Sequence, residues 1–118
     1  MELSDGVRLA TQLLLPQDGA GAWPAVLIRT AEAAHQPGQA LFGRLVAESG
    51  YAVVLQECRG RHASEGTFAP FLHEASDGGE AVAWTLRRPW CDGRLALAGW
   101  GYAGFAAWAA LSRSPGSV

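Results

Sequence analysis

The sequence contains no lysine, only two cysteines and no long apolar run. All nine basic residues are arginine, which we attribute to the codon usage of a GC-rich genome. The formal net charge is -2, so the charge balance does not indicate the basic patch of a nucleic-acid-binding protein. A bilayer span needs about 20 apolar residues, and the first residues lack the regions of a signal peptide. We therefore expect a cytoplasmic protein that binds neither nucleic acid nor membrane.

The small number of cysteines also excludes a disulfide framework, and we expect Cys58 and Cys91 to be separate buried thiols. His35, His62 and His73 share no metal-ligand spacing with each other or with the cysteines, so we expect no metal and no other cofactor. The 118 residues are 49% hydrophobic and 17% charged, which is typical of a globular chain. This length fits one domain or a part of a larger one.

Turn signals and apolar patterns alternate along the chain and predict an α/β fold. Asp5-Gly6 favours a hairpin turn between a short strand at residues 1–4 and a strand over Val7–Leu15, followed by a loop over Pro16–Pro24. Short apolar runs predict strands, and apolar residues at helical spacing predict helices. The further strands are Ala25–Arg29, Tyr51–Gln56 and Arg94–Ala98; the helices are Gln39–Ser49, a segment capped by Ser76 or Asp77 that runs to Arg87, and Tyr102–Arg113. An antiparallel start followed by β-α-β-α-β-α predicts a mainly parallel sheet with right-handed crossovers.

The segment Leu97–Phe105 (LAGWGYAGF) lies between a predicted strand and a predicted helix, where α/β proteins place ligand chemistry. Through Gly99, Gly101 and Gly104 it matches the G-x-G-x-x-G fingerprint of dinucleotide-binding proteins. That fingerprint belongs in the first βα unit with an acidic residue about 20 positions later. Here the segment follows the third parallel strand, and no Asp or Glu comes after it. A small anion or nucleotide site on these glycines is therefore the weaker interpretation.

The competing motif is the nucleophile elbow G-x-S-x-G, whose strand–turn–helix setting fits this segment, with Gly101 where the serine stands. The elbow residue holds a strained backbone conformation, which glycine adopts at little steric cost. Gly99, Ala103 and Gly104 are small enough to let a strand and a helix come close. The pattern predicts an elbow that keeps its shape without its nucleophile.

Five blocks along the chain resemble the N-terminal part of the CocE/NonD acyl esterases, which are related to the X-Pro dipeptidyl-peptidases. They are Asp5–Pro16 (DGVRLATQLLLP), Trp23–Thr30 (WPAVLIRT), Gly50–Arg61 (GYAVVLQECRGR) with Ser64-Glu65-Gly66, Trp84 with Pro89–Arg94 (PWCDGR), and Gly99–Gly104 (GWGYAG). The resemblance implies the N-terminal half of an α/β-hydrolase fold, built as a three-layer sandwich. It further implies one partial domain over residues 1–118, without the family's later strands, cap and C-terminal β-domain.

The resemblance also assigns roles to the elbow residues Gly99, Trp100, Gly101, Tyr102 and Gly104. Gly101 takes the position of the nucleophilic serine, and Glu32 takes that of the tyrosine that donates to the oxyanion. An ionised glutamate only accepts hydrogen bonds and would repel an oxyanion. The backbone N–H of Tyr102, the second oxyanion donor, is retained. The triad's Asp or Glu and its His follow the nucleophile in this fold, and no such residue follows Tyr102 here.

The first hypothesis is therefore a serine hydrolase by family, esterase-like or peptidase-like, that is inactive as this chain. A second hypothesis is an interaction subunit. If Arg94–Ala98 lies at the edge of the sheet, its unpaired backbone groups would be covered by a protein partner or by another copy of the chain. A small anion or nucleotide binder that uses Gly99, Gly101 and Gly104 is the third hypothesis.

The other polar candidates have structural interpretations. We expect Ser64 to be a turn residue, the three histidines to be solvated in loops, and Arg59 and Arg61 to anchor a loop by ion pairs. Three acidic residues fit the start of a helix, where the macrodipole favours negative charge; they are Glu74, Asp77 and Glu80. Trp100 lies beside the elbow glycine and is expected to line or fill a pocket.

Overall fold

The computed structural model describes residues 1–16 and 20–118. Within them the chain forms four strands and three helices. In chain order these are β1 (Thr11–Leu14), β2 (Trp23–Thr30), α1 (Pro37–Glu48), β3 (Ala52–Glu57), α2 (Glu74–Leu86), β4 (Cys91–Leu97) and α3 (Tyr102–Arg113).

The strands form one mixed sheet in the order β1-β3-β2-β4. β1 runs antiparallel to β3, while β2 runs parallel to both of its neighbours, β3 and β4. The predicted α/β class, with an antiparallel start and a mainly parallel sheet, is confirmed. β4 lies at one edge of the sheet formed by the described residues.

Helices cover both faces of the sheet, which gives the three predicted layers. The step from β2 to β3 and the step from β3 to β4 run in opposite directions across the sheet. Because such crossovers are right-handed, opposite steps place their helices on opposite faces. Accordingly α1 packs on β1 and β3 from one side, and α2 packs together with α3 on the other.

The core has two parts because successive side chains of a strand point to opposite faces. Leu27, Val54 and Leu95 point towards α2 and α3. Ile28 and Val53 point towards α1. α2 and α3 approach each other closely: a Cβ atom added at Gly78 would lie 2.5 Å from the Cβ atom of Ala110. The central strands are therefore buried on both faces, as their apolar sequences predict.

The N-terminal hairpin is shorter than the prediction. The predicted strand over Val7–Leu15 is limited to β1, and residues 1–4 contribute a single antiparallel bridge between Glu2 and Arg8. The turn at Gly6 is confirmed, with a φ of +87° and a hydrogen bond from its N–H to the Leu3 carbonyl. The predicted loop over Pro16–Pro24 falls partly outside the described residues, and its end belongs to β2.

Other boundaries also differ from the prediction: α1 spans Pro37–Glu48 and not Gln39–Ser49, and β3 spans Ala52–Glu57 and not Tyr51–Gln56. Two further differences have a clear physical reason. α2 begins at Glu74 and not after a Ser76 or Asp77 cap, because Glu74 is held by the buried contacts described below. β4 begins at Cys91 and not at Arg94, because Cys91 pairs with Trp23 beyond a register shift in the ladder. The bounds of α3 are those predicted.

In the part of the chain that the structure describes, none of the helices combines the length and apolar character that crossing a membrane requires.

Candidate functional site

A small crevice lies where β2 and β4 end side by side. The helices that follow these strands pack on opposite faces of the sheet, an arrangement that opens a crevice at the carboxyl ends of parallel strands. The cavity there measures about 80 Å³, and its lining comes from two short segments and one helix residue: Thr30–Glu32, Trp100–Ala103 and Gln39. The structure thus brings Glu32 and Gly101, which are far apart in the sequence, to the same cavity.

The turn after β4 has the backbone shape that the elbow motif predicts. Gly101 has φ +57° and ψ -129°, a region that other residues adopt only under strain. A Cβ atom added there would have no atom within 4 Å. One added at Gly99 would lie 2.5 Å from the backbone of Ala103. A side chain is therefore excluded at Gly99 by packing, whereas at Gly101 there is space for one.

The first residue of α3 presents a free backbone donor to this cavity. Neighbouring amides are used in the turn: Ala103 N–H donates to the Trp100 carbonyl at 3.1 Å, and Phe105 N–H donates to the Gly101 carbonyl at 3.2 Å. Tyr102 N–H has no acceptor among the described residues. The N–H groups at a helix start also carry the positive end of the macrodipole. This donor is where the family resemblance expects the second oxyanion contact.

Glu32 lines the same cavity as this donor group. Its backbone N–H donates to the Thr30 hydroxyl at 2.9 Å, and its side chain is exposed. The Glu32 carboxylate has no hydrogen-bond or ion-pair partner within the described ranges. A carboxylate at this place adds negative charge and no donor when ionised. Trp100 lines the same cavity, as expected, and packs in a T-shaped arrangement with Phe42, with the two ring centroids 5.5 Å apart.

The Tyr102 side chain ties the turn to α2. Its hydroxyl donates to the Glu74 carboxylate and accepts a hydrogen bond from Phe71 N–H at 3.0 Å. Phe71 itself holds a φ of +71°, rare for a side chain of its size. Burial, and then the hydrogen bond to Glu74, raise the pKa of the Tyr102 hydroxyl to about 12.

A buried polar cluster continues beneath the turn, and sequence reasoning missed it. Arg29 and Glu74 each expose only 2% of their side chains, and Arg29 Nη1 lies 3.5 Å from Glu74 Oε1. Arg29 also donates to Gln56 Oε1 at 2.8 Å and to the Glu74 carbonyl at 3.2 Å. Arg29 and Gln56 stand opposite each other in the register of β2 and β3. The signal in the sequence was a charged residue at the end of an apolar strand.

The other acidic residues of α2 also have partners. Asp77 is buried and forms a bidentate ion pair with Arg59, in which both N–O distances are 2.9 Å. Arg59 also contacts Asp5 at 2.8 Å, so its predicted role as a loop anchor is confirmed. Glu80 accepts hydrogen bonds from the N–H and hydroxyl of Ser4. These carboxylates tie the N-terminal hairpin and the loop after β3 to α2.

Arg61 anchors its loop differently from the prediction. Its side chain donates to the Ala31 carbonyl at 2.7 Å and lies 4.9 Å from the centre of the Phe68 ring. No ion pair of Arg61 is formed with the described residues. The Arg61 contact holds the loop after β2, which carries Glu32.

The alternative nucleophiles are structural. The Ser64 hydroxyl donates to the Glu57 carbonyl at 2.6 Å and accepts from Ala10 N–H at 2.9 Å. Cys58 is fully buried, and burial raises the pKa of its thiol to about 12. Cys91 is a second free cysteine but is only half-buried, so the prediction that it is buried was wrong. A thiol with so high a pKa is protonated at neutral pH and is a poor nucleophile.

The three histidines do not form a site. His35 and His62 are exposed, and His73 precedes α2 without a side-chain cap. The described ranges, 1–16 and 20–118, contain no group of three or more His, Cys, Asp or Glu side chains that could hold a metal ion.

An apolar groove flanks β4 and α3. It measures about 500 Å³, and its lining residues are Leu97, Ala98, Gly99, Gly104, Ala107, Trp108, Leu111 and Val118. Trp108 exposes 74% of its surface, and Ala96 of β4 is exposed on the opposite face of the sheet. The described residues therefore leave this edge strand and the surfaces beside it uncovered.

This chain is similar to known proteins over nearly its whole length. The family described as X-Pro dipeptidyl-peptidase (S15 family) matches residues 5–118. Cocaine esterase from Rhodococcus sp. (strain MB1 Bresler) is 34% identical over 120 residues, which cover 98% of this chain and 21% of the esterase.

Solved structures agree with this match. A CocE/NonD family hydrolase from Staphylococcus aureus aligns with a TM-score of 0.87 and 22% identity, over 100% of this chain and 25% of that one. An alpha-amino acid ester hydrolase aligns with a TM-score of 0.81 and 25% identity, over 98% of this chain and 22% of that one. The chain spans about a fifth to a quarter of the length of these relatives. Its fold is thus that of the N-terminal portion of an α/β-hydrolase, as the sequence predicts.

Proposed function

Because the chain belongs to the X-Pro dipeptidyl-peptidase (S15) family, we propose that it is a CocE/NonD-type hydrolase core that has lost acyl-transfer catalysis. The main observation that supports this proposal is the glycine at residue 101. It holds the elbow conformation at the carboxyl end of β4, beside a free backbone N–H, and has no side chain to attack a substrate. The turn geometry is that of a nucleophile elbow, and the reactive atom is missing from it.

The second part of the proposal concerns the oxyanion. An acyl-transfer site needs donors aimed at the developing negative oxygen. Tyr102 N–H is one candidate donor, and the second place is taken by Glu32 on the same cavity. An ionised carboxylate there would raise the energy of an oxyanion.

The third part concerns the triad partners. In this fold an Asp or Glu and then a His follow the nucleophile in chain order. After Tyr102 this chain has no Asp, Glu or His, and Glu74 and Asp77 are already committed to Tyr102 and Arg59. Neither of these two carboxylates is therefore free to orient a base for a serine placed at residue 101.

The proposal is tested with the purified chain and its Gly101→Ser variant. Both are assayed for p-nitrophenyl acetate turnover and for covalent labelling by a fluorophosphonate probe, with a CocE/NonD esterase as the positive control. We expect no labelling of the natural chain and no turnover by either protein. Labelling of the natural chain at one serine, or turnover by Gly101→Ser, would overturn the proposal.

The bare edge supports a second candidate function, in which this core docks with further strands of the same fold. Its β4 edge, the 500 Å³ groove and the exposed Trp108 form one continuous surface. The relatives are four to five times longer than the aligned region, so their folds contain elements beyond that region. We propose that a strand–helix unit of the hydrolase fold, on the same or a partner polypeptide, occupies this surface.

Light scattering coupled to size exclusion tests this second candidate, together with binding of the apolar dye anilinonaphthalene sulfonate. An uncovered edge predicts concentration-dependent self-association and strong dye fluorescence. A stable monomer at high concentration that does not bind the dye would contradict it.

A further inference from the structure

The last side chain of β3 is a buried carboxylate without a partner. Glu57 is 7% exposed, and its Oε2 atom has no hydrogen bond among the described residues. Its backbone groups are satisfied: the N–H donates to the Ala10 carbonyl, and the carbonyl accepts from the Ser64 hydroxyl. Among the described residues, the polar atom of Glu57 that is buried without a partner is therefore its carboxylate Oε2.

None of the ion pairs among the described residues involves Glu57. Arg8 pairs with Glu65 at 2.8 Å, and Arg59 pairs with Asp77 and Asp5. Arg29 is on the opposite face of the sheet, where it contacts Glu74. An ionised carboxylate out of water is costly without a counter-charge. The protein's own described cations do not supply one.

Glu57 is also one of the residues that line a cavity of about 320 Å³, which is separate from the elbow crevice. Its lining residues are Ala10, Thr11, Gln12, Ala34, His35 and Glu57. No basic arginine or lysine is among them. Gln12 and a neutral His35 can each accept a hydrogen bond, whereas the Thr11 hydroxyl already donates to Leu9 and accepts from Gln56. Ala10 and Ala34 provide an apolar wall that a short alkyl group can contact.

We propose that this cavity binds a small organic cation with a primary ammonium group, for which Glu57 provides the counter-charge. An ammonium group has three N–H donors, and the cavity offers three acceptors in Glu57, Gln12 and His35. A structural metal ion needs more ligands than one carboxylate and one imidazole. A charge-assisted hydrogen bond from ammonium to carboxylate is among the stronger polar contacts in proteins.

Calorimetric titration of the purified chain with propylammonium chloride tests the site, at neutral pH and constant ionic strength. Potassium chloride and tetramethylammonium chloride are the comparison salts, because neither cation has an N–H donor. We expect saturable 1:1 binding of propylammonium only. Glu57→Gln should weaken it at least tenfold, and Glu48→Gln, which removes an exposed carboxylate of α1, should leave it unchanged.

His35→Ala provides an independent variant, because His35 is exposed and its loss should not disturb folding. It should weaken propylammonium binding about threefold. Near-ultraviolet circular dichroism of the tryptophans confirms that each variant is folded. The proposal is overturned if the natural chain shows no saturable binding, if folded Glu57→Gln binds as tightly, or if both comparison salts compete equally. If Glu57→Gln does not fold, unchanged binding by His35→Ala overturns it. Esterase assays do not bear on this site, so the two proposals fail separately.

Discussion

The hydroxyl of Tyr102 donates a hydrogen bond to the carboxylate of Glu74, across the gap between the first turns of α3 and α2. Glu74 is held in turn by Arg29 from β2. The turn around Gly101 is therefore fixed from beneath by a chain of buried polar contacts. Its shape depends on these contacts and not on the nucleophile that such a turn usually carries.

Removal of the Tyr102 hydroxyl should destabilise the chain. Tyr102→Phe leaves the Glu74 carboxylate and Phe71 N–H without this partner, and a lost hydrogen bond of this kind costs about 1–3 kcal/mol. Urea unfolding followed by tryptophan fluorescence measures the change. Tyr51→Phe is the matched control, because Tyr51 is exposed and should change the unfolding free energy little. Equal effects of the two variants would argue against the anchoring role.

The two glycines of the turn should respond differently to alanine. At Gly99 the added methyl group would overlap the Ala103 backbone, so we expect Gly99→Ala to lose several times more stability than Gly101→Ala. At Gly101 only the strained backbone conformation opposes the change, at a cost of about 1–3 kcal/mol. Thermal unfolding of both variants measures which of the two is less stable. A Gly99→Ala protein as stable as Gly101→Ala would show that the strand and helix are further apart than described.

Stability should decline in alkaline solution. The pKa values of the Cys58 thiol and the Tyr102 hydroxyl are each about 12 in the folded chain, above their ordinary values of 9.0 and 10.0. At a pH between the ordinary pKa of such a group and its pKa in the folded chain, the unfolded chain binds fewer protons than the folded chain. Unfolding therefore becomes easier as the pH rises from 9 to 12. Each such group contributes a slope of at most about 1.4 kcal/mol per pH unit.

Urea unfolding at pH 8, 9, 10 and 11 measures this slope. Cys58→Ala should flatten the decline of the unfolding free energy that begins near pH 9, whereas Tyr102→Phe should leave this decline unchanged. An unfolding free energy that stays constant to pH 11 would contradict both assignments.

The two thiols should differ in reactivity. Cys58 is fully buried and Cys91 is half-buried, so we expect one thiol per chain to react with Ellman's reagent in the native state and two in denaturant. Cys91→Ser should abolish the native reaction. Fast native labelling that persists in Cys91→Ser would show that Cys58 is accessible.

The apolar surface beside β4 should drive self-association. Trp108→Glu places a charge at the centre of the exposed groove and should lower the apparent molar mass at high concentration. Leu41→Glu is the matched control, since Leu41 is an exposed apolar residue of α1 on the other face. Light scattering compares the two variants, and an equal effect would remove the special role of this groove.

The sequence alone predicted the elements whose limits are local. α3 begins after a glycine that ends the strand turn, and its bounds were predicted correctly. The start of α2 was missed because Glu74 is helical for a tertiary reason, namely its contacts with Arg29 and Tyr102. The start of β4 was missed because Asp92-Gly93 suggests a turn, whereas pairing with β2 extends the strand past it.

The elbow could be predicted from the sequence, but the buried polar contacts that hold it could not. The spacing of Gly99, Gly101 and Gly104 between a strand and a helix is visible in one stretch of sequence. Arg29 and Glu57, in contrast, are charged residues at strand ends, where exposure is the ordinary expectation. Only the packing of the loops over these strand ends shows that both side chains are buried.

Gly101 differs from Gly99 in one way that has a practical consequence. New atoms at Gly99 collide with the backbone, but new atoms at Gly101 enter the open space of the crevice. A cysteine installed at residue 101 would therefore be a point for covalent attachment. A spectroscopic label or a synthetic catalyst fixed there would face the ends of β2 and β4, and one attached group could be exchanged for another without repacking the core.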